Sequence, residues 1–553
     1  MIDRTAEDGK SMKRPTLQEL SLREKIGQTG VAYPAVDLKN PNEPFGIAWS
    51  VGGLKMAFVN MDFTPNENLK MSADAYAAEM EKVNACRKIP VLSAMDCNYG
   101  IDGAFYEFSP IVSAPLIGAA DDEQLAFEVG KLRGLHLRRV CCNWWWGPEV
   151  DLASRFSQIS YGRLYSDEPE RMTRMARAEM LGCQSVGVAA TAKHFLGADE
   201  MEYRDAHTNY QMLHCSFESW KQRQGKIYQE LIDSGVMGIM SSHMAFPACD
   251  PTKVNGKYVP ASASYKMITE LLKGEMGFRG VVVTDAVKML GLCRMFGSLQ
   301  EVYIAALKAG NDAILGVDAD YIDVVEAAVK RGEISEERIN DACQRVLDMK
   351  ERVGLFNEPT YYNTDEISNL NQMASRLNKL VADKAITLNV NRSGLFPLKK
   401  PIHTVHIVTI CSDPAFKKQI QEGLATAFEK RGVHARVSVN LYSYDEIEKI
   451  ANESDLIIYA CCRRRKHCYF DVDNQESFNF VLHAGAEKSV GVSFGDPYIA
   501  FDQLSCMDTF INAYSMAPEA HEAVADAILG NISFRDTSPF AIIPKEFQNY
   551  EHL

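Results

Sequence analysis

Two stretches of this chain carry side chains whose types and spacing could do chemistry. Lys193-His194-Phe195-Leu196-Gly197, followed by Arg204-Asp205-Ala206-His207, puts two histidines, a lysine, an arginine and an aspartate just past the apolar run 186–190. A second apolar run, Gly280-Val281-Val282-Val283-Thr284, ends in Asp285. Placed there, Asp285 can be a covalent nucleophile, a general base or a metal ligand. It can equally be the N-cap of a helix through 286–290. Asp205 can accept a hydrogen bond from one nitrogen of His207, which fixes the tautomer and raises the basicity of the other nitrogen. The plain reading of His207 is an exposed loop histidine with no task. Lys193 is either paired with an acid or aimed at an anionic or hydroxylated ligand, and His194 can be a satisfied buried histidine. Asp96, Asp151, His243 and Asp318 also follow apolar runs, and Arg163 lies in Ser160-Tyr161-Gly162-Arg163-Leu164-Tyr165. Polar groups after nearly every run are hard to dismiss, since chance would scatter them along both ends.

Something must bring these groups together. Apolar runs at 45–49, 89–95, 140–145, 187–192, 237–242, 280–284 and 312–315 alternate with amphipathic stretches at 72–84, 121–134, 168–182, 216–234, 264–276 and 299–309. Such alternation predicts a parallel sheet, most economically a closed (β/α)8 TIM-type barrel whose strands release functional groups at their carboxyl ends. A doubly wound open sheet competes, because periodicity does not separate the two. Asn357-Glu358-Pro359 breaks the helical pattern after Phe356. The expected organisation is a barrel over 1–356, a linker and helix over 357–384, and a three-layer α/β/α sandwich over 385–553. Strands of the latter are expected at 404–411, 436–441, 455–461, 488–493 and 509–513.

The chain has 553 residues, is 46% hydrophobic and 24% charged, and carries a net charge of −14. That balance argues against nucleic acid or an anionic membrane as partner, both of which reward clustered Lys and Arg. The isolated basic run 463–467 reads as a solvated loop. No apolar signal core stands in residues 1–14 and no run is long enough to cross a membrane, so a cytoplasmic protein is expected. The 14 cysteines contain no Cys-x-x-Cys and fit reduced, mostly buried thiols. No helical His-x-x-x-His pair and no glycine-rich phosphate loop appears, so neither a metal nor a nucleotide cofactor is implied. Trp144, Trp145 and Trp146 offer a stacking face or a piece of barrel core.

Taken in order, these segments resemble glycoside hydrolase family 3. Ser21-Leu22-Arg23-Glu24-Lys25-Ile26-Gly27-Gln28 is similar to its opening helix, Lys193-His194-Phe195 to its Lys-His-Phe motif, and Gly277-Phe278-Arg279-Gly280-Val281-Val282-Val283-Thr284-Asp285 to its nucleophile segment. Ser242-His243, Ala306–Asp312 and Ser493-Phe494-Gly495-Asp496-Pro497-Tyr498 follow in the family's order. The resemblance implies that Asp285 is the nucleophile and that Asp96, Arg163, Lys193 and His194 hold sugar hydroxyls. Asp205-Ala206-His207 is similar to the Asp-Ser-His of the β-N-acetylglucosaminidase branch, which implies His207 as acid/base and Asp205 as its orienting partner. Two departures stand out. The loop is one residue longer and reads Leu196-Gly197-Ala198-Asp199 where the branch has Pro-Gly-His-Gly. Asp96 is followed by Cys97-Asn98-Tyr99-Gly100, without the Gln-Glu-Gly-Gly and the nearby arginine that are common there.

The expected function is a retaining exo-β-glycosidase acting on a small carbohydrate, a β-N-acetylglucosaminidase first. A phosphorylase is a second possibility, because a neutral imidazole does not repel phosphate. A third is a β-glucosidase whose acid is Asp471, Asp473 or Glu476. The last is a non-catalytic sugar-binding protein on the same scaffold.

Overall fold

The computed structural model describes residues 13–32, 45–49, 72–97, 100–101, 104–152, 162–199, 202, 204–357, 366–411, 414–439, 443–462, 486–502 and 507–542. The run 463–467, the linker residues 358–365, and Asp471, Asp473 and Glu476 lie outside them. The chain divides into two units. One comprises residues 1–109, 126–151 and 176–371, the other residues 110–125, 152–175 and 372–553.

The first unit is an eight-stranded parallel barrel. Its strands are β1 (Gly30–Ala32), β2 (Ile47–Trp49), β3 (Leu92–Met95), β4 (Trp144–Trp145), β5 (Ala189–Phe195), β6 (Gly238–Ser241), β7 (Val281–Thr284) and β8 (Ile314–Val317). The hydrogen-bonded order runs from β7 back through β6, β5, β4, β3, β2 and β1 to β8. A parallel bridge between Val283 and Ala313 joins the two ends and closes the barrel. The strands are short and β-branched or small. Their inward side chains, among them Val31, Ile47, Leu92, Ala94, Trp144, Ala189, Val281, Val283 and Leu315, form one buried cluster. Each such aliphatic side chain contributes about 1.5–3 kcal/mol by leaving water. Trp144, Trp145 and Trp146 are 0%, 2% and 0% exposed. They are core and present no face to a sugar.

Helices between the strands are capped as their sequences require. Ser21 and Glu24 form a reciprocal capping box at the start of Leu22–Gly27. Helices Glu123–Arg139 and Pro169–Ser185 cross with their backbones nearly touching. A Cβ on Gly130 would stand 1.9 Å from the Glu179 carbonyl oxygen, and one on Gly182 1.9 Å from that of Phe127. Buried between them, Arg133 pairs with Glu179 at 2.7 Å, donates to the carbonyl of Cys97 and lies 4.9 Å over the ring of Trp145. Lys350, on helix Glu336–Arg352, is fully buried. It donates to Gln28 Oε1 at 2.6 Å and to the Pro90 carbonyl at 2.7 Å, and burial pushes its pKa down to about 7.

The second unit is an α/β/α sandwich around a six-stranded sheet. Its strands are β9 (Thr387–Asn391), β10 (Thr404–Ile410), β11 (His434–Val439), β12 (Leu456–Cys461), β13 (Ser489–Ser493) and β14 (Thr509–Asn512). The order is β9-β14-β13-β12-β10-β11. All neighbours pair in parallel except β9, which runs antiparallel to β14. Within this unit Asp167 accepts from the Ala541 N–H at 2.6 Å and from the Tyr498 hydroxyl at 3.3 Å, while Ser166 Oγ donates to the Pro539 carbonyl at 2.6 Å. Burial raises the pKa of Asp167 to about 6 against these donors.

Candidate active site

Asp285 is the first residue past β7. Its N–H donates to the Ser241 carbonyl of β6 at 2.9 Å, which fixes where the side chain leaves the barrel. One carboxylate oxygen accepts from the N–H of Ala286 at 2.7 Å. No helix follows directly: the next one is Leu290–Cys293, with Met289 at its N-cap. The N-cap reading of Asp285 therefore falls away. Burial pushes the Asp285 carboxyl up, but the imidazoles of His194, His243 and His207 and the Ala286 N–H outweigh it and hold the pKa down at about 2.

His194 stands at the end of β5. Its Nδ1 meets Asp151 Oδ2 at 2.7 Å, and its backbone N–H donates to Asp151 Oδ1 at 3.2 Å. Its Nε2 faces Asp285 Oδ2 at 3.9 Å. Burial alone would lower its pKa, yet Asp151, then Glu149 and Asp285, raise it above the ordinary histidine value. Lys193, 2% exposed, donates to Asp96 Oδ1 at 2.6 Å, which ties the end of β5 to the end of β3. His243, past β6, is held at both nitrogens. Nε2 donates to the Ala286 carbonyl at 3.0 Å and Nδ1 meets Ser262 Oγ at 2.9 Å. Burial lowers its pKa below the ordinary histidine value.

The loop beyond β5 brings up the Asp–His pair. Asp205 Oδ1 accepts from both the backbone N–H of His207, at 2.8 Å, and its Nδ1, at 2.9 Å. The side chain of Asp205 is buried and that of His207 is one-third exposed. Nδ1 of the ring is thus engaged by the acid. A backbone bond from the Leu290 N–H to the His207 carbonyl, 2.9 Å, locks this loop to the segment that follows Asp285. Gly291 lets the two approach, since a Cβ there would sit 2.4 Å from the Asn209 carbonyl oxygen.

Of the residues singled out from sequence, Asp96, Lys193, His194, Asp205, His207 and Asp285 all belong to this one network of the first unit. Arg163 lies in a turn of the second unit. Asp318 is tied up with Lys288. Two partners escaped the sequence as partners: Asp151 behind His194, and Ser262 behind His243. Glu149, Asp151 and His194 also bring three polar atoms within 4.8 Å of one another. With Nδ1 of His194 engaged by Asp151, this is a hydrogen-bonded acid–imidazole arrangement. Among the described residues no helix is long and apolar enough to cross a membrane.

Comparison with known proteins gives the same picture. The C. fimi protein described as "Beta-N-acetylglucosaminidase/beta-glucosidase" (Cellulomonas fimi) is 24% identical over 98% of both chains. "Beta-hexosaminidase A" of Pseudoalteromonas piscicida is 25% identical over 62% of this chain and 60% of its own. Among solved structures, a β-glucoside phosphorylase, BglX, bound to 2FGlc superposes with a TM-score of 0.81 at 23% identity, covering 95% of each chain. A family 3 β-N-acetylglucosaminidase from Paenibacillus sp. str. FPU-7 gives 0.76 at 22% identity, covering 95% of this chain and 99% of that one. These likenesses establish the fold. Residues 21–349 match the Glycosyl hydrolase family 3 N terminal domain, and with that match over most of the barrel the chain belongs to glycosyl hydrolase family 3 and is a glycosidase.

Proposed function

We propose that the protein is a retaining exo-β-glycosidase that releases N-acetylglucosamine from β-linked, non-reducing ends. Asp285, ionised at any working pH, attacks the anomeric carbon as the bond to the departing oxygen breaks. His207 in its protonated form, held by Asp205, gives its proton to that oxygen. Neutral His207 then takes a proton from water, the water oxygen displaces Asp285, and the sugar leaves with retained configuration. Asp96, Lys193 and His194 are the groups offered to sugar hydroxyls. One observation carries this reading: a carboxylate kept ionised by imidazoles has the Asp205–His207 pair among them, bonded by backbone to the carboxylate's own loop. The names of the relatives from Cellulomonas fimi and Pseudoalteromonas piscicida support the amino sugar.

A panel of p-nitrophenyl glycosides tests it, together with a 2-fluoro-glycosyl fluoride. The expected result is fastest release from the N-acetylglucosaminide and a covalent adduct mapped to Asp285. Release from the glucoside at a far higher rate would remove the assignment of the Asp–His pair.

Phosphorolysis is the second reading. Its acceptor is an anion, which a carboxylate base would repel and an imidazole does not. The structural likeness to a β-glucoside phosphorylase runs the same way. Accumulation of a sugar 1-phosphate in phosphate buffer, measured against release of free sugar, separates the two.

A further inference from the structure

The mechanism above leaves unused a buried acid that stands beside His194. Glu149 is 2% exposed. It sits on the extended segment that continues β4 along the end of β5, where Lys193 N–H donates to the Pro148 carbonyl at 3.1 Å and Val150 N–H to the Lys193 carbonyl at 2.7 Å. Two residues apart on such a segment, Glu149 and Asp151 point to the same side. That side holds His194: one oxygen of each acid and one ring nitrogen all lie within 4.8 Å of one another. The segment is closed from behind. Gln224 Nε2 donates to the Val150 carbonyl at 2.7 Å and Trp220 Nε1 to the Leu196 carbonyl at 2.8 Å.

We propose, resting on the glycosidase reading, that Glu149 is a positioning residue that acts through His194: it supplies the second negative charge behind the ring and keeps the imidazole doubly protonated opposite Asp285. An imidazole with a carboxylate on each side is favoured in its doubly protonated form, because each negative charge stabilises the added positive one. Asp151 fixes its orientation through Nδ1, Glu149 adds charge, and Nε2 is left to face Asp285 and the substrate. The other ionisable groups around this set are Tyr228 beside the two acids, His243 across from the ring, and the Lys193–Asp96 pair along β5. Both nitrogens of His243 are engaged and Lys193 is paired with Asp96, which leaves Glu149 and Asp151 as the acids beside the ring.

The sign follows directly. Removing the Glu149 charge makes His194 release its proton more readily, so the form with a charged ring is lost at lower pH. A dinitrophenyl glycoside, whose leaving group needs no proton, takes His207 out of the measurement. With it, the alkaline limb of kcat/KM for Glu149→Gln is expected about one pH unit below that of the wild type, the size of effect one neighbouring charge has. Glu149→Asp is expected to keep its limb near the wild type. Coincident profiles for wild type and Glu149→Gln would overturn the proposal, as would a Glu149→Asp limb displaced as far as that of Glu149→Gln. So would loss of activity on dialysis against EDTA with recovery on adding Zn²⁺ or Mg²⁺, since an ion would then occupy the place of the ring's charge. NMR of selectively labelled histidines in the wild type, with His194→Gln to assign the signal, gives a measurement that needs no folded Glu149 variant. His194 is expected to titrate above an ordinary histidine, and titration at or below that value refutes the role of Glu149. A wild type inactive on every glycoside fails the functional reading instead, and this NMR measurement still judges the proposal.

Discussion

Asp285 gives up its proton at about pH 2, so its ionisation does not set the acid limb of the pH–rate profile. Lowering the pH towards 4 is expected to leave the yield of trapped glycosyl-enzyme unchanged wherever the fold survives, which intact-mass measurement reads directly. Asp285→Ala is expected to lose on the order of 10⁴-fold or more in kcat, the scale at which losing a covalent nucleophile registers. His207→Ala should lose about 10²- to 10⁴-fold on substrates with poor leaving groups and far less on a dinitrophenyl glycoside, a contrast that stopped-flow or plate kinetics resolves. Single residues were readable from sequence where they stand next to a distinctive neighbour. Asp285 follows the strand-like run Val281-Val282-Val283-Thr284, and Asp205 and His207 are two apart. The pairing of Asp151 with His194 could not be read, because the two come from different strands and one sequence carries no record of register. Ser262, on the 3-10 turn Ala261–Ala263, meets His243 only through the fold, which the sequence likewise does not record.

Among the elements, helices Glu123–Arg139 and Pro169–Ser185 cross at a close-packed joint. Gly182→Ala would drive a methyl into the Phe127 carbonyl, and the expected cost is about 1–3 kcal/mol, the usual penalty for overpacking, seen as a lower thermal midpoint. The helix carrying Lys350 adds a pH signature. Its pKa falls from an ordinary 10.5 to about 7 in the fold. Between those values the unfolded chain binds a proton that the folded chain does not, so stability rises with pH across that window. Urea denaturation of Lys350→Met should lose that part of the rise between pH 7 and pH 10. Seven of the eight barrel strands were legible as apolar runs. β1 was not: three residues, Gly30-Val31-Ala32, are too short to show a pattern. β9 escaped for another reason. It is an antiparallel edge strand whose residues beyond Thr387 are only partly buried, so it lacks the apolar density of its neighbours.

At the scale of the molecule, the alternation of runs and helices was enough to name both architectures, and the choice of a closed barrel over an open sheet rested on resemblance. The bridge between Val283 and Ala313 that closes the barrel leaves no mark in the sequence. In the second unit Asp167 binds its proton up to about pH 6 against an ordinary 3.8. Its contribution to stability is present at low pH and is lost as pH rises through that interval. Asp167→Asn keeps an acceptor for the Ala541 N–H, and its thermal midpoint is expected to vary less between pH 4 and pH 6 than that of the wild type. One further feature reaches across the whole first unit. Because the Leu290 N–H grips the His207 carbonyl, the loop of His207 and the segment that follows Asp285 are tied to each other. A longer or shorter loop on either side would change the gap between them, so loop grafts from relatives will work only when both segments are exchanged together.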